Sequence, residues 1–138
     1  MTTRRDFHDP VTEHDRAAEM SIRAVIDARA PHSAIVGEEG GTTGSGDLVW
    51  YVDPIDGTAN FAAGLPFFCV SIAAPVRGEL VAGVVYDPVR DDEFTATPDG
   101  AWCNGKPLRG ERPGGVGEVR APVIRGAARS ARAARSAR

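Results

Sequence analysis

A short apolar run that ends on two aspartates constrains this chain more than any other feature. Leu48 to Val52 is rich in β-branched and aromatic residues, the pattern of a buried strand. It runs into Asp53-Pro54-Ile55-Asp56-Gly57-Thr58-Ala59-Asn60-Phe61. The strand delivers one carboxylate at its end, turns through Pro54, and offers a second carboxylate three residues on. Gly57-Thr58 then opens a predicted helix whose first backbone N–H groups lack intrahelical acceptors and face the same space. Carboxylate oxygens bind a hard cation such as Mg²⁺, and a helix start binds an anion. Together they suit a phosphate held against a divalent cation. Asp-Pro and Asp-Gly are also common turn formers, and on their own mark only a surface loop. The whole string behind a buried strand is what points to a site.

Upstream, Thr12 has the character of an N-cap, with Asp15 three residues on in a capping-box-like arrangement and Val11 as a hydrophobic staple. Ala18, Ile22, Val25 and Ile26 follow at helical spacing and give the helix one apolar face. Ala30-Pro31 ends it. By spacing alone Asp15 is a cap. Ala34 to Gly37 is a strand that leads into Glu38-Glu39, and adjacent glutamates before glycines are ordinarily solvated. Gly40 to Gly46 (seven residues of Gly, Thr and Ser) reads as a flexible loop covering the site.

Downstream, Phe67 to Val76 and Leu80 to Tyr86 are strand-like, joined by a hairpin turn at Arg77-Gly78-Glu79. Glu93 to Thr97 and Ala101 to Cys103 continue the pattern, with turns at Pro98-Asp99-Gly100 and Asn104-Gly105. The class is α+β, an antiparallel sheet with a packed helix. Trp102 reads as a packing residue.

The chain has 138 residues, enough for one domain with a core, and 42% are hydrophobic, which argues against wholesale disorder. No apolar run is long enough to span a membrane, and Arg4-Arg5 precedes Asp6 rather than an apolar stretch, so the expected location is the cytoplasm. In that reducing compartment a disulfide between Cys69 and Cys103 is disfavoured, and Cys69 fits a small buried strand residue. Net charge is −3, yet the six arginines from Arg120 onward meet no acid. The expected organisation is a domain over residues 1–109 and a Gly/Pro/Arg-rich disordered basic tail over 110–138, where Ala-Ala-Arg-Ser-Ala-Arg occurs twice from Ala127. Such a tail attracts polyanions, but no aromatic side chain interleaves with its arginines, and nucleic-acid binding ranks lowest among the readings.

Read together, these segments resemble the inositol monophosphatase family, a superfamily of Mg²⁺-dependent, lithium-sensitive phosphatases. Asp53-Pro54-Ile55-Asp56-Gly57-Thr58 looks like its aspartate motif, Gly37-Glu38-Glu39-Gly40 its Gly-Glu-Glu metal element, and Thr12-Glu13-His14-Asp15 its Thr-x-x-Asp helix start. Phe67 to Ala73 and Gly83 to Pro88 are similar to the strands that follow. The resemblance runs from about Pro10 to about Leu108 and implies the N-terminal half of a layered α/β sugar-phosphatase fold. It implies that Glu38, Asp53 and the Ile55 carbonyl hold one Mg²⁺, and that Asp53 and Asp56 help to hold a second. It further implies that Glu38 and Thr58 orient an attacking water, with Asp15 drawing on the Thr58 hydroxyl. Gly57 and Thr58 would grip the phosphate, and Asp56 would meet a substrate hydroxyl. The implied substrate is a small phosphate monoester. Asn60-Phe61 and Gly64 to Phe67 look more like inositol phosphatases than like the histidinol-phosphate or nucleotide-phosphate branches, and a histidinol-phosphate or other sugar-phosphate phosphatase is the alternative.

Family members are longer, and their second half carries a Trp-Asp-x-Ala-Ala motif whose aspartate completes the second metal site. This chain has no Trp-Asp dipeptide: Trp50 precedes Tyr51, and Trp102 precedes Cys103. Only 11 residues precede Thr12, too few for the family's first helix. The expectation is therefore weakened catalysis and an exposed apolar sheet face prone to self-association, including a homodimer. The alternative is a catalytically silent metal-binding or interaction domain.

Overall fold

The structure, a computed structural model, describes residues 10–109. A long helix, α1 (Pro10–Arg29), is followed by β1 (Ala34–Gly37), β2 (Gly41–Gly44) and β3 (Val49–Asp56). Then come the short helix α2 (Thr58–Ala62), β4 (Cys69–Val76), β5 (Glu79–Asp87), β6 (Asp92–Thr97), β7 (Gly100–Cys103) and β8 (Lys106–Pro107). The strands form one sheet of eight in the order β2-β1-β3-β4-β5-β6-β7-β8. This is the expected α+β arrangement. Every pairing is antiparallel except β1 with β3, which run parallel with Ile35 opposite Trp50 and Gly37 opposite Val52. From β3 onward the chain is the expected meander, turning at Arg77-Gly78 and Asn104-Gly105, where all four residues have positive φ. The basic tail over 110–138 lies outside the described residues.

The core lies where α1 packs on the first strands. Ile26, Ile35 and Val52 are buried together, with Ile22, Ala30, Trp50 and Ile72 packed around them. Ile22 and Ile26 stand one turn apart on the helix, as the apolar spacing requires. Trp50 donates its indole N–H to Ser33 Oγ at 3.0 Å, and Ser33 Oγ donates to the Ala30 carbonyl at 2.7 Å. These bonds satisfy polar groups where the chain leaves α1 for β1. Val25, which the sequence placed on the apolar face, is 56% exposed. Further out, Leu80, Phe94 and Leu108 are exposed.

Three local expectations change. Helix α1 already runs at Pro10, so Thr12 sits inside its first turn rather than at the N-cap; proline's fixed φ suits a helix start. Asp15 thereby falls in the second turn and is 5% exposed, which is no capping position. Gly40 to Gly46 is not a loose cover, because Gly41–Gly44 forms β2 at the sheet edge. Its glycines serve close approach: a Cβ on Gly44 or Gly46 would run into the carbonyl oxygen of Ser33 or His32. Finally, β3 does not end at Asp53. It continues through buried Pro54 to Asp56, and the register with β4 shifts between Asp53 and Asp56. The shift accommodates a proline, which has no N–H for the ladder.

Candidate active site

The parallel pairing of β1 and β3 decides where the acidic residues go. Strand β1 ends at Gly37, opposite Val52, so Glu38 leaves its strand beside the position where β3 reaches Asp53. The irregular stretch from Asp53 to Asp56 carries Ile55 and Asp56 to the same end of the sheet, followed at once by Gly57 and Thr58. Helix α1 adds Asp15 from above the core. Four carboxylates separated by up to 41 positions in sequence are brought within electrostatic reach of one another.

Asp53 is the focus. Burial is the largest cause of its pKa rising from 3.8 to about 7, and the charges of Glu38, Asp56 and Asp15 add to it in that order. A small opposing pull comes from the Ile55 backbone N–H. Asp53 Oδ1 is buried and accepts no hydrogen bond. A buried carboxylate oxygen among like charges is costly unless a proton or a cation neutralises it. The donor set is all oxygen, which suits a hard divalent ion over a soft one. The carboxylates are not drawn into a closed cage: among the described residues no three His, Cys, Asp or Glu side chains sit close enough to hold an ion as they stand.

Around this focus the remaining positions are fixed by short-range contacts. Gly57 has φ 97°, the left-handed conformation open to glycine, and its missing Cβ leaves room for the Phe67 carbonyl. Asn60 Nδ2 donates to that same carbonyl at 2.8 Å, closing the α2–β4 loop. Phe61 stacks edge-on against His14 of α1 and Phe68, at centroid distances of 5.5 and 5.0 Å. Thr58 is exposed at the start of α2. Cys69 pairs with Asp56 in register, with its Sγ 4.0 Å from Asp56 Oδ2. Burial, with the charges of Asp56, Asp53 and Asp87, pushes its thiol up to about 11, so it is a poor nucleophile. Both cysteines are free.

Sequence reasoning missed three polar groups that build this end of the sheet. Ser71, 2% exposed, sits opposite Asp53 across β3–β4, and its Oγ has no partner. Glu19 is also 2% exposed and binds the Glu38–Gly40 turn, and Arg23 binds Glu19. The signal was present as helix spacing, since Asp15, Glu19 and Arg23 follow one another at four-residue intervals along α1.

Known proteins share both sequence and fold with this chain. The chain is 52% identical over 110 residues to the Nus factor SuhB of Pseudomonas aeruginosa, covering 76% of this chain and 41% of that protein. It is 42% identical over 105 residues to an inositol monophosphatase of Dictyostelium discoideum, covering 72% and 39%. It superimposes on a crystal structure of inositol monophosphate-bound SaIMPase-II with a TM-score of 0.66 and 37% identity, covering 73% of this chain and 40% of the other. The chain thus spans about two-fifths of the length of these relatives. The sequence profile of the inositol monophosphatase family matches residues 2–137. With a profile match that long, and a fold that sets the acidic motifs side by side, the chain belongs to the inositol monophosphatase family.

Proposed function

We propose that this chain carries the metal-binding portion of a Mg²⁺-dependent phosphate monoester hydrolase that acts on inositol phosphates. The observation that carries the reading is the buried, unsatisfied Asp53 Oδ1 within reach of Glu38, Asp56 and Asp15. Its oxygen donors fit Mg²⁺ by hardness, and Glu38, Asp53, the Ile55 carbonyl and Asp56 would hold it. When bound, Mg²⁺ supplies neutralisation of phosphate charge and a more acidic water.

The protein's own groups then have distinct tasks. Glu38, on an exposed turn, accepts a proton from the attacking water and aligns it with Thr58. Asp15 orients the Thr58 hydroxyl from α1. The backbone N–H groups of Gly57 and Thr58 hold the phosphate oxygens, and Asp56 receives a substrate hydroxyl. Support for the inositol class comes from the ligand named for SaIMPase-II and from the Dictyostelium relative. The test is Mg²⁺-dependent phosphate release from inositol 1-phosphate by the purified chain, with Asp56→Asn as control. Turnover abolished by the substitution supports the reading, and turnover that survives it removes Asp56 from the mechanism.

A second reading is favoured by the name of the 52%-identical relative, a Nus factor, and by the two-fifths span of the match. Here the chain binds metal and a partner without turning over substrate. Mg²⁺ binding that needs Asp53, with no phosphate release, supports it.

A further inference from the structure

Glu19 is a charged side chain that a helix facing solvent would display outward, yet here it is 2% exposed. Burying a carboxylate costs several kcal/mol unless every lone pair finds a donor, on the order of the penalties seen for unpaired ions. Glu19 meets most of that demand with three hydrogen bonds, at least one to each oxygen. Its Oε2 accepts the Glu39 backbone N–H at 2.9 Å, and its Oε1 accepts the Gly40 N–H at 2.8 Å. Arg23, one helical turn on, donates Nε to Oε1 at 2.8 Å. The same guanidinium donates Nη2 to the Gly41 carbonyl at 2.6 Å and Nη1 to Thr43 Oγ1 at 2.7 Å. One carboxylate and one guanidinium on α1 thus hold the turn and the strand that follows it.

The glycines on either side of Glu38-Glu39 are shaped to this contact. A Cβ on Gly37 would overlap the Glu19 carboxylate, and one on Gly40 would come within 2.6 Å of Oε1. The sequence Gly37-Glu38-Glu39-Gly40 is therefore a tight turn wrapped on a buried anion, from which Glu39 projects toward Arg16 at 3.6 Å and Glu38 toward the carboxylate group around Asp53. Helix α1 presents Asp15 and Glu19 four residues apart, so the element that supplies Asp15 to the carboxylate group also fixes the turn that supplies Glu38.

We propose that Glu19, braced by Arg23, is the positioning residue for Glu38: it sets the turn from which the Glu38 carboxylate reaches the cation beside Asp53. The inference rests on the metal-binding reading of Glu38 and assigns its geometric origin. Glu19→Gln keeps the shape but replaces one acceptor oxygen with an amide donor, which cannot serve two N–H groups and Arg23 at once. Gly40→Ala attacks the same contact from the other side, because its Cβ would press on the Glu19 carboxylate and the Arg23 guanidinium rather than on backbone. Ile26→Val, on the same helix but in the apolar core, is the control for general loss of stability.

Two measurements on the full chain test this: amide hydrogen exchange at Glu39 and Gly40 without metal, and Mg²⁺ affinity by calorimetry. Both Glu19→Gln and Gly40→Ala are expected to speed exchange at these amides more than tenfold. They are also expected to weaken Mg²⁺ binding by about 10–100-fold, the range for losing a group that orients a ligand. Ile26→Val should leave both unchanged. Exchange that stays slow in Glu19→Gln and Gly40→Ala overturns the clamp while leaving the hydrolase reading intact. Faster exchange with wild-type Mg²⁺ affinity overturns the positioning role. A wild-type chain that binds no Mg²⁺ overturns the hydrolase reading and the positioning role together.

Discussion

Asp53 and Ser71 face each other across β3 and β4, and each carries a buried side-chain oxygen that no hydrogen bond satisfies. Register partners point to the same face of a sheet, so the two orphaned oxygens lie on one side of it. An unsatisfied pair of this kind is costly in an isolated protein and useful in one that expects a cation.

Asp53→Asn should therefore move two properties in opposite directions. Removing a charge that Glu38, Asp56 and Asp15 all repel relieves strain in the metal-free protein. At pH 8.5, where Asp53 is ionised, its Tm is expected to rise by about 4 °C or more, the shift that 1 kcal/mol gives a domain of about 100 residues. Mg²⁺ affinity should fall by more than about 100-fold, beyond the usual cost of an outer ligand contact. Calorimetric melting with and without Mg²⁺ checks both. Unchanged Mg²⁺ binding would sink the assignment of Asp53.

The pH dependence follows with a definite sign. The folded-state pKa of Asp53, about 7, lies above its ordinary value of 3.8. A raised carboxyl pKa contributes stability that is complete below the unfolded value and is lost as pH rises through the folded one. Metal-free stability should therefore decline between about pH 4 and 7. Cation binding at pH 6 should release about one proton from this group, and at pH 8.5 none. Calorimetry in two buffers of different ionisation enthalpy measures the release directly.

Gly57→Ala tests the bend between β3 and α2. The φ of 97° is strained for alanine, and the new Cβ would lie 3.0 Å from the Phe67 carbonyl oxygen. A loss of about 1–3 kcal/mol is expected in urea denaturation. The Asn60 bond to Phe67 should loosen with it, visible as a changed side-chain amide signal.

Ile35→Ala should cost about 2–5 kcal/mol, since Ile35 is 1% exposed and stands at the centre of the packing between α1 and the sheet. Leu80→Ser, at a position 61% exposed, should stay within about 0.5 kcal/mol. Equal effects from the two would mean the core is misplaced.

How far the sequence could be read depended on whether the cause was local. The β3 run and the turns at Arg77-Gly78 and Asn104-Gly105 were legible, because strand burial and left-handed turn residues leave patterns a few residues long. The acidic motif was legible for the same reason. Pro54 misled, since a proline in a strand normally ends it, and only the register shift against β4 lets β3 continue. Gly44 and Gly46 misled too: glycine demanded by a neighbouring carbonyl and glycine in a loose loop are the same letter. The direction of β1 against β3 depends on the path between Gly37 and Val49, which no local pattern specifies. The spacing of Glu19 to Arg23 hinted at an ion pair, but its burial stayed hidden because its other two partners are backbone N–H groups of Glu39 and Gly40, whose place the side chains do not announce.

The sheet order also separates pairings that close locally from those that do not. From β4 to β8 each strand lies beside its predecessor in sequence, and after β4 the pairings close over turns of two to four residues that carry little loop entropy. The β1–β3 seam is different: it needs the whole of β2 and its return to be in place, with α1 laid across. Glu38 and Asp53 sit on opposite sides of that seam. Opening at that seam alone would part Glu38 from Asp53 while β3 to β8 stayed paired.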